Sequence, residues 1–364
     1  MSRNQKWPAE RPIKQVPENS IIHAQGRIFL TNHERLVQEI EDTLVRDFCK
    51  SYDEYKALHS SMLGQITAQA AKSPAYKGLA SISDISRLNE LPLTTYAHIQ
   101  GCFDELGVEN VLLAPIAKWW YTSGSTGKPK KVYYGKGDLS DIAQGLLQLL
   151  YLSGVRPWDS AWVVTATGGE TLFGLVLEKY GLDGIINVLA AEVDMINALR
   201  AASKLEKIDV MVTVTWIYLL LRRIANDPKD FEKVIATEVK KRVKVPGISW
   251  LVTRYLLRGI NYPRLRNSLD NTKLGFSHAE ALSPYIPKIK EAYPKMEMHD
   301  VFGATEQWVQ AIQVSPTTNW LSFFLRYSIP EMAPPEEIVK AKEDKNYRVK
   351  AVPWYEWKKG MKVE

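Results

Sequence analysis

Cysteine is almost missing from this chain. Two in 364 residues, Cys49 and Cys102, lie far apart and match neither a disulfide framework nor a metal-ligand spacing. No apolar run approaches the roughly 20 residues that a membrane-spanning helix needs. The N-terminus, MSRNQKWPAERPIK, is basic but has no apolar stretch after it, which excludes a secretory signal. Nothing directs the chain elsewhere, so a cytoplasmic location is expected by default. Internal repeats and low-complexity tracts are also lacking.

What is present is ordinary in bulk and uneven in detail. Apolar residues are 45% and charged residues 24%, as in a globular protein, and the length suggests two or three structural units. The net charge is +6. Much of it is local: residues 222–266 hold twelve Lys or Arg against four Asp or Glu. Such a segment is either a surface for a phosphorylated ligand, a membrane face or nucleic acid, or a solvated helical insertion. No zinc-finger, RNP-type or basic-zipper pattern accompanies the charge, so no specific nucleic-acid partner is expected.

The hydrophobic pattern changes along the chain. The first thirty residues read as an extended arm. Thr31-Asn32-His33-Glu34 then forms a capping box ahead of Leu36, Ile40, Leu44 and Phe48, and a second helix is expected over 53–72. Residues 81–101 read as short helices broken at Leu91-Pro92. From residue 118, short apolar runs (131–134, 161–166, 185–189, 210–214, 296–302) alternate with helical stretches (139–152, 172–180, 216–224). That alternation predicts a mostly parallel sheet covered on both faces. Ser283-Pro284 predicts a capped helix start, Pro334-Pro335 a short acidic helix, and 347–353 a strand.

The strongest chemical signal is Tyr121-Thr122-Ser123-Gly124-Ser125-Thr126-Gly127-Lys128-Pro129-Lys130. Two glycines allow close backbone approach, and hydroxyls with N–H groups form a concave nest for phosphate oxygens. Lys130 adds a compact cation. A Walker loop is excluded: the residue five before Gly127 is Thr122, and Pro129 keeps Lys128 out of a helix. The loop instead joins two strands. Downstream, Phe302-Gly303-Ala304-Thr305-Glu306 offers a flat ring, a hydroxyl and a carboxylate suited to Mg²⁺.

These two elements, in this order, resemble the signature loops of the adenylate-forming superfamily: acyl-CoA synthetases, luciferases and peptide-synthetase adenylation domains. Ser277-His278-Ala279-Glu280-Ala281-Leu282 resembles the turn that lines adenine in that family, with His278 where the family has Gly. His278 either crowds or hydrogen-bonds the ring, or is a structural turn residue. Leu91-Pro92-Leu93-Thr94-Thr95 resembles an element of phenylacetate–CoA ligases, which with plant hormone-conjugating acyl-acid amido synthetases are the nearest likeness.

The resemblance implies an α/β chain of two packed, mostly parallel sheets with helices, plus a partial β-barrel. It implies ATP-dependent activation of a small carboxylic acid as an acyl-adenylate, with Mg²⁺, and onward transfer of the acyl group to CoA. Lys130, Thr305 and Glu306 would be catalytic, with Glu306 holding Mg²⁺. Thr122, Ser123, Gly124, Ser125, Thr126, Gly127 and Lys130 would hold phosphates. Ala279, Glu280, Ala281, Asp300, Phe302, Gly303 and Thr305 would surround the rest of the nucleotide, although Asp300 also suits a surface carboxylate. Gly168, Gly169, Phe173 and Trp216 would line the acyl pocket, with core packing the other reading of both aromatics. Three parts are expected: an arm and helical part (1–115), the adenylation core (116–318) and a β-rich tail (319–364). The family's ribose-binding Asp and the lysine of its small C-terminal domain find no counterpart here. The expectation is therefore that a separate C-terminal domain completes the enzyme and that this chain alone ligates slowly, or that the chain is a non-catalytic nucleotide- or aromatic-acid-binding remnant.

Overall fold

The structure is a computed structural model that describes residues 26–48, 50–91, 94–122, 130–156, 159–165, 173–174, 176, 183–189, 192–243, 245, 247–278, 281–303, 310–313, 321–326, 328–344 and 347–356. The chain divides into two units. One takes residues 1–41, 119–132 and 137–322; the other takes 42–118, 133–136 and 323–364. The tail thus groups with the early helical part, where the sequence suggested a part of its own.

The first unit is built on a seven-stranded sheet in the order β4-β3-β5-β6-β7-β8-β9. Strands β3 (Ser160–Thr165), β4 (Asp183–Val188), β5 (Val210–Val214), β6 (Leu274–His278) and β7 (Glu297–Phe302) are parallel, and β8 (Ala311–Ile312) returns antiparallel to β7. Short strand β9 (Ser322–Phe323) closes the row. Every residue of β3 is buried, which is why a run of six with no alternation reads as a strand.

The parallel strands are sutured at their N-terminal edge. Asp209 N–H donates to Ser160 O at 2.8 Å, and Asp209 O accepts from Lys273 and Leu274 N–H at 3.0 Å. Glu297 N–H donates to Lys273 O at 2.8 Å, bringing in β7. The Asp209 carboxylate, buried, accepts from Ser160 N–H at 3.1 Å and pairs with Lys273 at 2.5 Å and with Lys207. Burial alone would raise this carboxyl, but hydrogen bonds from the two lysines and Ser160 reverse that and hold it far below the usual carboxylate range.

Helix α7 (Thr215–Asn226) follows β5 directly and lies on the sheet. Its Tyr218 is fully buried, with its hydroxyl 2.7 Å from Met211 O and 2.9 Å from Phe276 O. Gly275 makes that approach possible: a Cβ there would lie 2.3 Å from Met298 Sδ and 3.2 Å from the Tyr218 hydroxyl. Tyr218 is thus a core anchor. Three further helices, α8 (Pro228–Arg242), α9 (Ile248–Leu257) and α10 (Tyr262–Asp270), occupy the basic segment before β6.

Local signals met mixed outcomes. Helix α1 spans Gly26–Phe48, so Thr31-Asn32-His33-Glu34 sits inside it, not at its start. The capping box instead opens α2 (Tyr52–Ala70), where Ser51 and Glu54 satisfy each other's backbone N–H at 3.3 and 2.6 Å. Thr95 caps α3 (Tyr96–Leu106). Ser283 lies in a 3-10 turn before α11 (Ile286–Ala292), without a side-chain cap bond. In the second unit, Tyr52, Tyr55, His59, Trp354 and Tyr355 form a nest of edge-on rings. The strand expected over 347–353 is only β11 (Val352–Pro353), paired antiparallel with β10 (Glu331–Met332). No closed barrel occurs among the described residues.

Replacing Asp209 by Ala leaves the Ser160 N–H buried without its acceptor and separates two cations from their partner. The expected loss is about 2–3 kcal/mol in urea denaturation at neutral pH. A carboxyl depressed by folding contributes stability that is present above its unfolded pKa and lost as pH falls below it. The acid limb of the stability curve is therefore flatter in the variant.

Candidate functional site

Strand order reverses between β3 and β5. The chain leaves β3 for β4 on one side and returns to β5 on the other. Loops at the C-terminal ends of these neighbours diverge, and such a switch point is where open α/β sheets bind ligands. The segment carrying Gly168 and Gly169 leaves β3 there, and Trp216 stands in the first turn of α7 after β5, 51% exposed. Gly168 and Gly169 themselves lie outside the described residues. Phe173 is buried.

Beside the switch point runs a polar row. Thr213 of β5 pairs with Ser277 of β6, which pairs with Asp300 of β7, so all three side chains share one face at one level. Thr213, Thr215 and Ser277 are completely buried, and the Thr215 and Ser277 hydroxyls bond each other. Thr213 Oγ1 and His278 Nε2 are buried without a hydrogen-bond partner among the described residues. Burial also pushes the His278 imidazole down, towards its neutral form. On the opposite face His299 stacks on Phe276, ring centres 5.3 Å apart.

Asp300 Oδ2 accepts from Leu282 N–H at 3.3 Å, so the carboxylate closes the turn after β6. Burial raises its carboxyl, against the lowering effect of the Leu282 and Val301 N–H groups. Ala281, exposed, precedes that turn; Ala279 and Glu280 lie outside the described residues. Phe302 ends β7 with half its surface exposed, and Gly303 follows it. Thr305 and Glu306 lie outside the described residues.

The phosphate-loop segment has the strand–loop–strand setting that its proline required. Strands β1 (Lys118–Tyr121) and β2 (Lys131–Tyr134) form a two-stranded sheet. At the loop base Thr122 N–H donates to Lys130 O at 2.8 Å, and Lys130 N–H donates to Thr122 Oγ1 at 2.9 Å. Residues 123–129, with Ser123, Gly124, Ser125, Thr126 and Gly127, lie outside the described residues.

The structure therefore gathers Thr213, Thr215, Trp216, Ser277, His278, Leu282 and Asp300 at one sheet edge, and Thr122 with Lys130 at one loop base. The hydroxyl row escaped the sequence reading. Its signal was present as Thr or Ser ending otherwise apolar strand runs, but only the register shows that the three strands meet. A separate apolar groove, lined within the second unit by Ile66, Ile99, Phe103 and Val111, holds no carboxylate, imidazole, amine or thiol.

Asp300 has the signature of a group kept at some expense of stability. A carboxyl raised by folding weakens the fold as pH rises through the interval above its unfolded pKa. Asp300→Asn keeps an acceptor for Leu282 N–H and removes that penalty. The variant should unfold at slightly higher urea at pH 7, with the advantage vanishing in acid below about pH 4.

No family model and no curated protein matches the chain. Solved structures do. A 2-hydroxyisobutyryl-CoA ligase in the postadenylation state, in complex with R3-HIB-AMP, superposes with a TM-score of 0.58 at 14% identity, over 80% of this chain and 57% of that one. An open conformation of the ligase, in complex with 2-HIB-AMP and CoA, gives 0.55 at 13%, over 73% and 54%. The chain thus spans little more than half the length of the structures it matches. Over the matched part, its fold is the one seen in those two ligase structures.

Proposed function

We propose that this chain is the nucleotide-handling part of an enzyme that activates a small carboxylic acid with ATP and passes the acyl group to a thiol, CoA being the candidate acceptor. What carries the reading is the strand–loop–strand setting of the segment from Thr122 to Lys130 in a chain of this fold. One backbone–backbone bond and one bond from Lys130 N–H to the Thr122 hydroxyl hold the loop ends together, and the run of hydroxyls and amides in the sequence between them is the proposed phosphate nest. An oxygen of the acid attacks the α-phosphorus, the α–β phosphoanhydride bond breaks, and pyrophosphate leaves with the electron pair. The thiolate then attacks the acyl carbon and AMP departs.

In this proposal Lys130 balances charge gathering on the departing pyrophosphate, and Phe302 offers its exposed ring to adenine. Asp300 and the turn through Ala281 shape the floor of the adenine site, with Ala279, Glu280 and Gly303 beside them. The acid lies at the switch point, bordered by Trp216 and the segment with Gly168 and Gly169, while Phe173 backs it from the core. The described residues contain no cluster of three or more metal-ligating side chains. In this proposal Mg²⁺ is bound with the nucleotide's phosphates, where it would supply charge neutralisation, and Glu306 is the carboxylate proposed to meet it. The phenylacetate–CoA ligase likeness rests on Leu91-Pro92-Leu93-Thr94-Thr95, of which Thr95 already serves as a helix cap.

The test is ATP–pyrophosphate exchange across a panel of aromatic and short aliphatic acids. At least one acid should support exchange, and Lys130→Ala or Glu306→Gln should each lower it about 10²–10³-fold with an unchanged urea midpoint. A folded sample that takes up no adenine nucleotide, or full exchange in both variants, defeats the proposal.

A further inference from the structure

Helix α9 has ten residues and buries none of them. Ile248, Trp250, Leu251 and Tyr255 are 46, 59, 58 and 74% exposed. At 100° per residue these four share an arc of about 160°, and Arg254 and Arg258 fall within it. Val252, Leu256 and Leu257, on the other side, are partly covered. Helix α8 packs against α9 and ends in Lys240, Lys241 and Arg242, all exposed, with Val234 and Val245 also 58 and 53% exposed. Single exposed apolar residues are common on protein surfaces, but four on three turns of one helix need an occupant.

Charge selects the occupant. Residues 222–266 carry twelve cationic side chains against four acids, and three of those acids are engaged locally. Asp227 caps α8, Asp230 pairs with Arg223 at 2.8 Å and Glu238 with Lys241 at 2.6 Å. The Arg254 guanidinium lies 5.3 Å from the Trp250 ring centre, an arrangement that keeps its charge beside the apolar face. Nucleic acid is met mainly by cations and hydrogen-bonding side chains, and a face of four exposed apolar residues along one helix exceeds the one or two that wedge between bases. An anionic lipid surface offers both phosphates and hydrocarbon, and the mixture of aromatic, aliphatic and basic residues on one helix face suits its interface.

We propose that α8 and α9 form a peripheral docking surface for an anionic lipid bilayer. Ile248, Trp250, Leu251 and Tyr255 enter the boundary between headgroups and acyl chains, while Lys240, Lys241, Arg254 and Arg258 meet lipid phosphates. The proposal is independent of the adenylation reading, since none of these residues belongs to that site.

The full chain is floated with phosphatidylcholine vesicles and with vesicles of equimolar phosphatidylcholine and phosphatidylglycerol. Partition onto the anionic vesicles should be at least about tenfold greater at low salt and should fall steeply as salt rises. The triple variant Trp250→Ser, Leu251→Ser, Tyr255→Ser should lose about tenfold or more of that partition. The pair Lys240→Glu, Lys241→Glu should lose a comparable amount, and thermal midpoints should hold because the side chains are exposed. No partition onto anionic vesicles, or partition unchanged by the triple variant, overturns the proposal. So does a self-association in gel filtration that the triple variant abolishes, or equally tight binding of duplex DNA or polyglutamate through the same residues.

Discussion

A buried carboxylate at the N-terminal edge of the sheet decides where the opposite edge can place its side chains. Asp209 ties three strands at once, through its backbone to Ser160, Lys273 and Leu274 and through its carboxylate to Ser160 N–H and two lysines. Glu297 joins the same line through Lys273. Parallel strands rise about 3.3 Å per residue, so strands that start level and have equal lengths finish level. A slip of one residue in β6 would turn Ser277 to the far face and bring His278 or Phe276 into the row. The suture therefore acts on the site although it lies at the other end of the strands.

The two edges treat polar groups in opposite ways. At the N-terminal edge the Asp209 charge is matched by Lys207 and Lys273. At the C-terminal edge Thr213 Oγ1 and His278 Nε2 stand buried without partners among the described residues, and burial raises the Asp300 carboxyl. Each unmet buried polar atom costs about 1–3 kcal/mol, and stability alone would replace Thr213 by Val. Thr213 and His278, unmet beside a topological switch point, mark a place where a ligand would supply the missing partners.

Legibility in the sequence followed burial. Strands β3 and β5 were readable because nearly all their residues are buried and mostly apolar runs stand between turns. The two-residue strands β8 to β10 were not, since two residues carry no period, and β11 was read too long, over 347–353. Thr31 to Glu34 has the letters of a cap, but the helix runs through them from Gly26, and Ser51 with Glu54 holds the cap bonds instead. Ser283 likewise yields to Asp300, which reaches the turn from another strand. The loop motifs were legible as strings of phosphate-competent residues, whereas the row from Thr213 through Ser277 to Asp300 spans nearly ninety residues and exists only through register.

The helices inserted before β6 obey a different constraint from the sheet they interrupt. The sheet is held from this side by buried bonds, Tyr218 against two strand carbonyls and Tyr293 against Tyr218 O at 2.8 Å, and by Arg266, exposed, onto Ala225 O. Helix α10 joins this core through Leu265 and Leu269, so the insertion's last helix serves the fold. Helix α9 does not, because none of its residues is buried, and its tie to the rest includes the Arg200 guanidinium, which donates to the backbone oxygens of Leu256 and of Arg258 just after the helix. Selection for a stable core acts on α10 and leaves the exposed face of α9 untouched. Leu251 and Tyr255 on that face thus answer to a surface outside the chain, and the cations around them say which sign of charge that surface bears.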